Sequence, residues 1–166
     1  MPYFLSLAAL AVVVFFFCRY ATADGRRRAA ALAAGFPPAW RALLAGHVAF
    51  YRALNGAEQA RFERQAQLFL ADTRITGVQT DVDELTRLLV AAAAVIPVFG
   101  FPEWQYARLG EVLVVPDAWV LAADATQEVK PLPGALLGSV QGFQNQHYMR
   151  LSKAALLRGF ANAEDR

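Results

Sequence analysis

Residues 75–104 read ITGVQTDVDELTRLLVAAAAVIPVFGFPEW, and this run leaves the chain few ways to fold. Its middle, Leu88 to Ile96, is apolar on every side, so a helix there must be buried centrally. Asp81-Val82-Asp83-Glu84 stands before it as a start signal, with Asp81 as N-cap and Glu84 as the acid that reaches back. Three carboxylates so close also resemble part of a metal site. A first helical turn already favours acids through its free N–H groups and dipole, so the cap is the preferred reading. Pro97 ends the helix. The aromatic turn Phe99–Trp104 is expected to be a buried plug; exposed, it would be a binding surface. Leu88–Phe101 is 14 residues long and holds Pro97 and Gly100, which argues against a membrane span.

Around this run the pattern is helical first and extended later. Pro37 and Pro38 suit the start of a helix to about Leu54. Its stripe is Trp40, Leu43, Leu44, His47, Tyr51 and Leu54, which places His47 on the apolar face. A histidine there is read as a core residue with a local hydrogen bond rather than as a ligand. Asn55 and Glu58 form a capping box for a helix to about Asp72 that buries Phe62, Ala66, Phe69 and Leu70. Arg61, Glu63, Arg64 and Gln67 are expected to face water. Glu111–Val115 (EVLVV), stopped by Pro116, reads as a strand, Leu121–Pro133 as a loop, and Val140–Leu151 as short strand pieces. Lys153–Phe160 reads as a short helix and Asn162–Arg166 as an exposed tail. Helices followed by strands indicate an α+β fold.

Phe4–Cys18 is uncharged and lies between Tyr3 and Tyr20, with Arg19 and Arg26–Arg28 behind it. It is apolar all round and close to the roughly 20 residues that span a bilayer once its aromatic ends are included. Basic residues on the carboxyl side alone predict an uncleaved anchor, with the amino terminus outside and residues 24–166 in the cytoplasm. Ala21-Thr22-Ala23 resembles a signal-peptidase site, but a signal peptide carries its positive charge ahead of its apolar region. The expected organisation is a transmembrane anchor over residues 1–23, a basic juxtamembrane linker over 24–35, and one domain over 36–166. The linker arginines are placed either near anionic headgroups or in a solvated charge run.

A net charge of +2 without a basic face predicts no nucleic-acid partner. One cysteine, Cys18, allows no internal disulfide. His47 and His147 match no zinc-ligand spacing. Ser152 and Lys153 are adjacent rather than spaced as S-x-x-K. No H-E-x-x-H and no Gly-rich phosphate loop occur in the 166 residues. No catalytic, cofactor-binding or metal-ligating residue is assigned.

FPPAW at Phe36–Trp40, VAFYRAL at Val48–Leu54, ITGV, VD-x-x-x-x-LLVAA, PVFGFPEW, EVLVVP, then LS and N-x-E-D follow in one order. From about Phe36 to Arg166 the chain resembles the Mlc titration factor A (MtfA) family, zinc-dependent peptidases of the gluzincin type. The resemblance implies the upper part of a zincin-like domain, a helical lobe and a small sheet whose edge strand, in the Val140–Ser152 region, runs beside substrate. It implies peptide hydrolysis by zinc-activated water in the complete protein, and a peptide or protein substrate. A cytoplasmic transcriptional repressor is an implied partner. The anchor, a departure from soluble members of the family, places the chain in the bacterial inner membrane, crossed once.

In the family, a helix carrying His-Glu-x-x-His follows N-x-E-D. The expectation is therefore that this chain is the amino-terminal portion of such an enzyme, with no zinc bound and no activity of its own. The alternative is a non-catalytic interaction module tethered to the membrane. An exposed apolar sheet surface around Val112, Val114 and the Val140–Leu151 strand is also expected when the zinc helix is not present to cover it.

Overall fold

Gly35 turns the chain between its first two helices with φ at 71°, a left-handed geometry that costs glycine little. A computed structural model describes residues 25–101, 106, 109–117, 138–143 and 146–162. Helix α1 occupies residues 25–33. It is followed by α2 (Pro38–His47), α3 (Ala49–Ala53), α4 (Gly56–Asp72), β1 (Arg74–Gly77) and α5 (Glu84–Val95). A 3-10 turn (Ile96–Val98), β2 (Leu109–Val115), β3 (Gly138–Phe143), β4 (Gln146–Ser152) and α6 (Lys153–Ala161) complete the order. The predicted anchor at Phe4–Cys18, the loop at Leu121–Pro133, residues 102–104 of the aromatic turn and tail residues 163–166 lie outside the described residues. Among the described residues no helix is long and apolar enough to cross a membrane.

The sheet order is β1-β2-β4-β3. β1 runs parallel to β2 and β2 parallel to β4, while β3 closes back antiparallel on β4. The fold is thus α+β, with a small, mostly parallel sheet. β1 corrects the order of helices first and strands later. ITG is short, but Ile75 and Thr76 are β-branched, and pairing with β2 makes the segment a strand.

Helix α5 is the centre of the core, as its all-apolar run requires. Leu88, Leu89, Val90, Ala91, Ala92 and Val95 are buried against α2, α4 and α6. Each large side chain buried there contributes roughly 1.5–3 kcal/mol. Its N-cap is Asp83, not Asp81: the Asp83 carboxylate accepts from Thr86 N at 2.8 Å. Asp81 lies two residues further out, and its backbone carbonyl accepts from Lys153 Nζ at 2.7 Å. The capping box at Asn55 and Glu58 is present in both directions, and α4 ends at Asp72 as its periodicity predicts.

The strands bury one face under these helices. Ile75, Val112 and Val114 are buried, with Met149 and Leu151 packed beside them. Val112 and Val114 are therefore not the exposed apolar surface expected of them, because α5 and its neighbours cover that side. The opposite face carries Thr76, Glu111, Leu113, Val115, Tyr148 and Arg150, all half-buried.

Helix α1 is fastened to α4. Gln67 Nε2 donates to Gly35 O at 2.6 Å and to Ala31 O at 3.3 Å, and Arg28 Nε pairs with Asp72 Oδ1 at 2.7 Å. Gln67 is buried, contrary to the expectation that it faces water, because the free carbonyls at the end of α1 need a donor.

Candidate functional site

The predicted helix to Leu54 breaks at Val48, whose extended backbone separates α2 from α3. Leu44, Val48 and Tyr51 go into the core, and His47 ends α2 exposed to solvent. This corrects its placement among core residues. His147 lies in β4, opposite Gly142 of β3 and Leu109 of β2. The two histidines thus belong to different elements.

Tyr51 meets Glu63 in the core. The Tyr51 hydroxyl donates to Glu63 Oε1 at 2.7 Å, and Arg41 Nε and Nη2 each donate to Glu63 at 2.8 Å, one to each oxygen. Glu63 is 7% exposed, so it too departs from the expected water-facing position. Burial pushes its carboxyl up, but the hydrogen bonds from Arg41 and Tyr51 and the Arg41 charge outweigh this and hold it below the ordinary glutamate value. Burial, then the bond to Glu63, pushes the Tyr51 phenol up to about 12. Both carboxylate oxygens of Glu63 accept bonds within the fold, so this triad ties α2, α3 and α4 together.

The other candidate residues are also occupied structurally. Asp83 caps α5, and Glu84 Oε1 accepts from Trp40 Nε1 at 3.2 Å. Ser152 is buried and caps α6 through Oγ, which accepts from Ala155 N at 3.1 Å. In the aromatic turn, Phe99 is buried among Phe50 and Phe62, with the Arg61 guanidinium 4.0 Å from its ring centroid. Phe101, two residues on, is 64% exposed, so only part of the turn is a plug.

Among the described residues two features of the sheet are candidate ligand surfaces. The first is its end strand. Within the Val140–Ser152 region β4 is interior, and β3 is the edge among the described residues. The second is a groove of about 780 Å3 where α1, the end of α4, β1 and β2 meet. Arg27, Asp72, Arg74, Arg87, Glu111 and Tyr148 supply its polar walls. Sequence reasoning missed it, because these residues come from six elements and no local spacing joins them. Among the described residues no three His, Cys, Asp or Glu side chains come together as a metal site. The residues described therefore do not form a zinc donor set.

Comparison with known proteins agrees with the order of motifs in the sequence. The model of the glucose-regulated metallo-peptidase M90 family matches residues 22–166. An uncharacterized protein of Synechocystis sp. is 35% identical over 85 residues, which make up 50% of this chain and 30% of that relative. This chain thus corresponds to less than a third of the relative's length through the matched segment. No solved structure matches. With every residue from Thr22 onward under the family's model, the chain belongs to the glucose-regulated metallo-peptidase M90 family.

Proposed function

We propose that this chain is the amino-terminal portion of a membrane-anchored, MtfA-like zinc-dependent metallopeptidase and supplies its substrate-holding sheet. The observation that carries this reading is the family match over residues 22–166. Zinc, when bound in the complete protein, would activate the water that hydrolyses the peptide, and its ligands would come from outside the residues described here. The role of this chain is positional. Among the described residues β3 ends the sheet, and an extended peptide would add there as a further strand through backbone N–H and C=O groups. The Tyr51–Glu63–Arg41 triad and α5 keep the helical layer behind that sheet rigid. A peptide or protein substrate fits this edge, and a cytoplasmic transcriptional repressor is the proposed physiological one. Phe4–Cys18 would hold the enzyme in the bacterial inner membrane with residues 24–166 in the cytoplasm.

The test is to express the reading frame with its downstream sequence and measure bound zinc and cleavage of a fluorogenic peptide. Stoichiometric zinc and hydrolysis are expected, with a substrate N-methylated at alternate peptide bonds cleaved poorly because it cannot complete the ladder. A downstream sequence without a zinc motif, or hydrolysis by the purified 166-residue chain, would overturn the proposal. The former would favour a non-catalytic tethered module. Resistance of the tagged protein to carbonate extraction is expected of the anchor, and recovery of a soluble chain beginning at Asp24 would rule it out.

A further inference from the structure

β1 lies at the opposite end of the sheet from β3, and among the described residues it pairs with β2 alone. Val78 N, just past the strand, donates to Val114 O at 2.8 Å. In a parallel ladder the residues that bond one neighbour alternate along the strand, so Arg74, Thr76 and Val78 turn their main-chain groups toward β2. The N–H and C=O of Ile75 then point outward. Among the described residues no group outside the sheet bonds them. Yet Ile75 is 8% exposed, with its side chain packed in the core. Main-chain groups at a buried position need a partner. Ile75 is also a wall of the groove described above, and the groove is where a partner can reach them.

The same groove holds one anion-binding group without a partner. Its acids have basic neighbours: Asp72 pairs with Arg28 at 2.7 Å, and Glu111 stands opposite Arg74 in the β1–β2 register. Arg87 differs. It is an exposed residue in the first turns of α5, and its guanidinium enters no salt bridge or hydrogen bond among the described residues. Glu84, three residues before it, accepts from Trp40 instead. One outward main-chain pair and one guanidinium therefore border a single concave space of about 780 Å3, which admits a short stretch of extended chain.

We propose that this groove captures the carboxyl-terminal end of an extended peptide, with the Ile75 main chain pairing its backbone and Arg87 holding its terminal carboxylate. Every peptide carries strand-pairing groups next to its carboxyl end, whatever its side chains. A guanidinium fork matches the two oxygens of a carboxylate and stays charged at every physiological pH. Strand addition draws its affinity from the main chain, so the site reads a free carboxyl end before it reads sequence. The ligand is a monoanion, so it needs one cation and leaves Arg74 to Glu111. This is a second peptide site, at the other end of the sheet from β3, and it does not rest on the peptidase reading.

The experiment titrates the full 166-residue chain, in a neutral detergent, with acetyl-Ala-Val-Thr-Val ending in a free carboxylate and with the same peptide ending in an amide. Calorimetry reads affinity, and amide hydrogen exchange reads place. The acid should bind saturably and the amide about tenfold or more weakly, because the charge-assisted bonds are lost. R87Q should bind the acid no more tightly than the parent binds the amide, and should bind the amide as the parent does. R87K, which keeps charge without the fork, should fall between. R64Q, which removes an exposed charge from α4, should bind both peptides as the parent does. R87Q should also unfold at the parent's temperature, since its side chain bonds nothing in the fold. In the saturated complex the Ile75 amide should exchange more slowly, with the amides of β3 unchanged. No saturation, equal binding of acid and amide, undiminished binding by R87Q or an equal loss in R64Q would overturn the proposal. Protection in β3 in place of Ile75 would overturn it too, while leaving strand addition at β3 standing.

Discussion

The Tyr51 hydroxyl donates to Glu63 Oε1 at 2.7 Å across 12 residues of sequence, inside a carboxylate that Arg41 already grips from the other side. Both ends of this bond titrate abnormally, and the two shifts have opposite consequences. Glu63 is held below the ordinary glutamate value, so its contribution to stability is present above about pH 4.3 and is lost as pH falls through the folded value. Tyr51 is raised to about 12, so the folded chain keeps a proton that the unfolded chain releases near pH 10. Its contribution is present below about pH 10 and is lost as pH rises toward 12. Urea unfolding against pH should therefore show a plateau bounded by both declines. Tyr51→Phe should shrink the alkaline decline and lower stability at neutral pH by about 1 kcal/mol, the worth of one buried hydrogen bond. An alkaline limb unchanged in that variant would exclude Tyr51 as its cause.

Gln67→Ala should loosen α1 more than the rest of the fold. Its amide is the donor for Gly35 O at 2.6 Å, and the substitution leaves that carbonyl to find water. Hydrogen exchange over residues 25–33 should accelerate markedly, while α5 retains its protection. A global loss of about 1 kcal/mol is expected alongside. Uniform acceleration of all helices would show that α1 is not a separate cooperative unit.

Asp83→Ala and Asp81→Ala should differ. Only Asp83 caps α5 through its side chain, so its loss should cost about 1 kcal/mol. Asp81 contributes a backbone carbonyl to Lys153, and that contact survives truncation of its side chain. Asp81→Ala should stay within about 0.5 kcal/mol of the parent, as surface substitutions generally do. Thermal unfolding of both variants checks the order.

Gly77→Ala should be among the most damaging small changes in the chain. A Cβ at Gly77 would overlap the backbone carbonyl oxygen of Thr80 and press on Val82 Cγ2. Backbone yields less readily than a side-chain tip, so the β1–α5 turn, in which Gln79 already has φ at 58°, would have to rebuild. A loss of about 3 kcal/mol is expected, at the upper end of what overpacking costs. Denaturant midpoints provide the measurement, and a loss below about 1 kcal/mol would show that the turn relaxes.

The elements legible in the sequence were those whose instructions are local. A capping box needs residues three apart, and Asn55 with Glu58 marked the start of α4 to the residue. The all-apolar run from Leu88 made α5 the core helix, Pro97 closed it, and EVLVV became β2. The Val140–Ser152 region was recognisable as strands, but not which strand forms the edge. That depends on β4 pairing with β2 from more than 30 residues away, and strand order is a property of the sheet.

Tertiary structure decided the polar residues. Periodicity assigned Glu63 and Gln67 to water because they are hydrophilic, yet both are buried where partners await them: Arg41 and Tyr51 for one, the end of α1 for the other. His47 went the other way, because α2 ends at it and leaves it exposed. The groove of Arg27, Arg74 and Arg87 likewise exists only after α1, β1 and α5 have docked. By itself the sequence determined most of the segments that coil or extend, β1 and the break at Val48 excepted, and which family they build, because those signals act within a few residues and in a set order. Only the folded chain decided which charges meet and which face a cavity, because burying a polar group is tolerated only where a partner from elsewhere satisfies it.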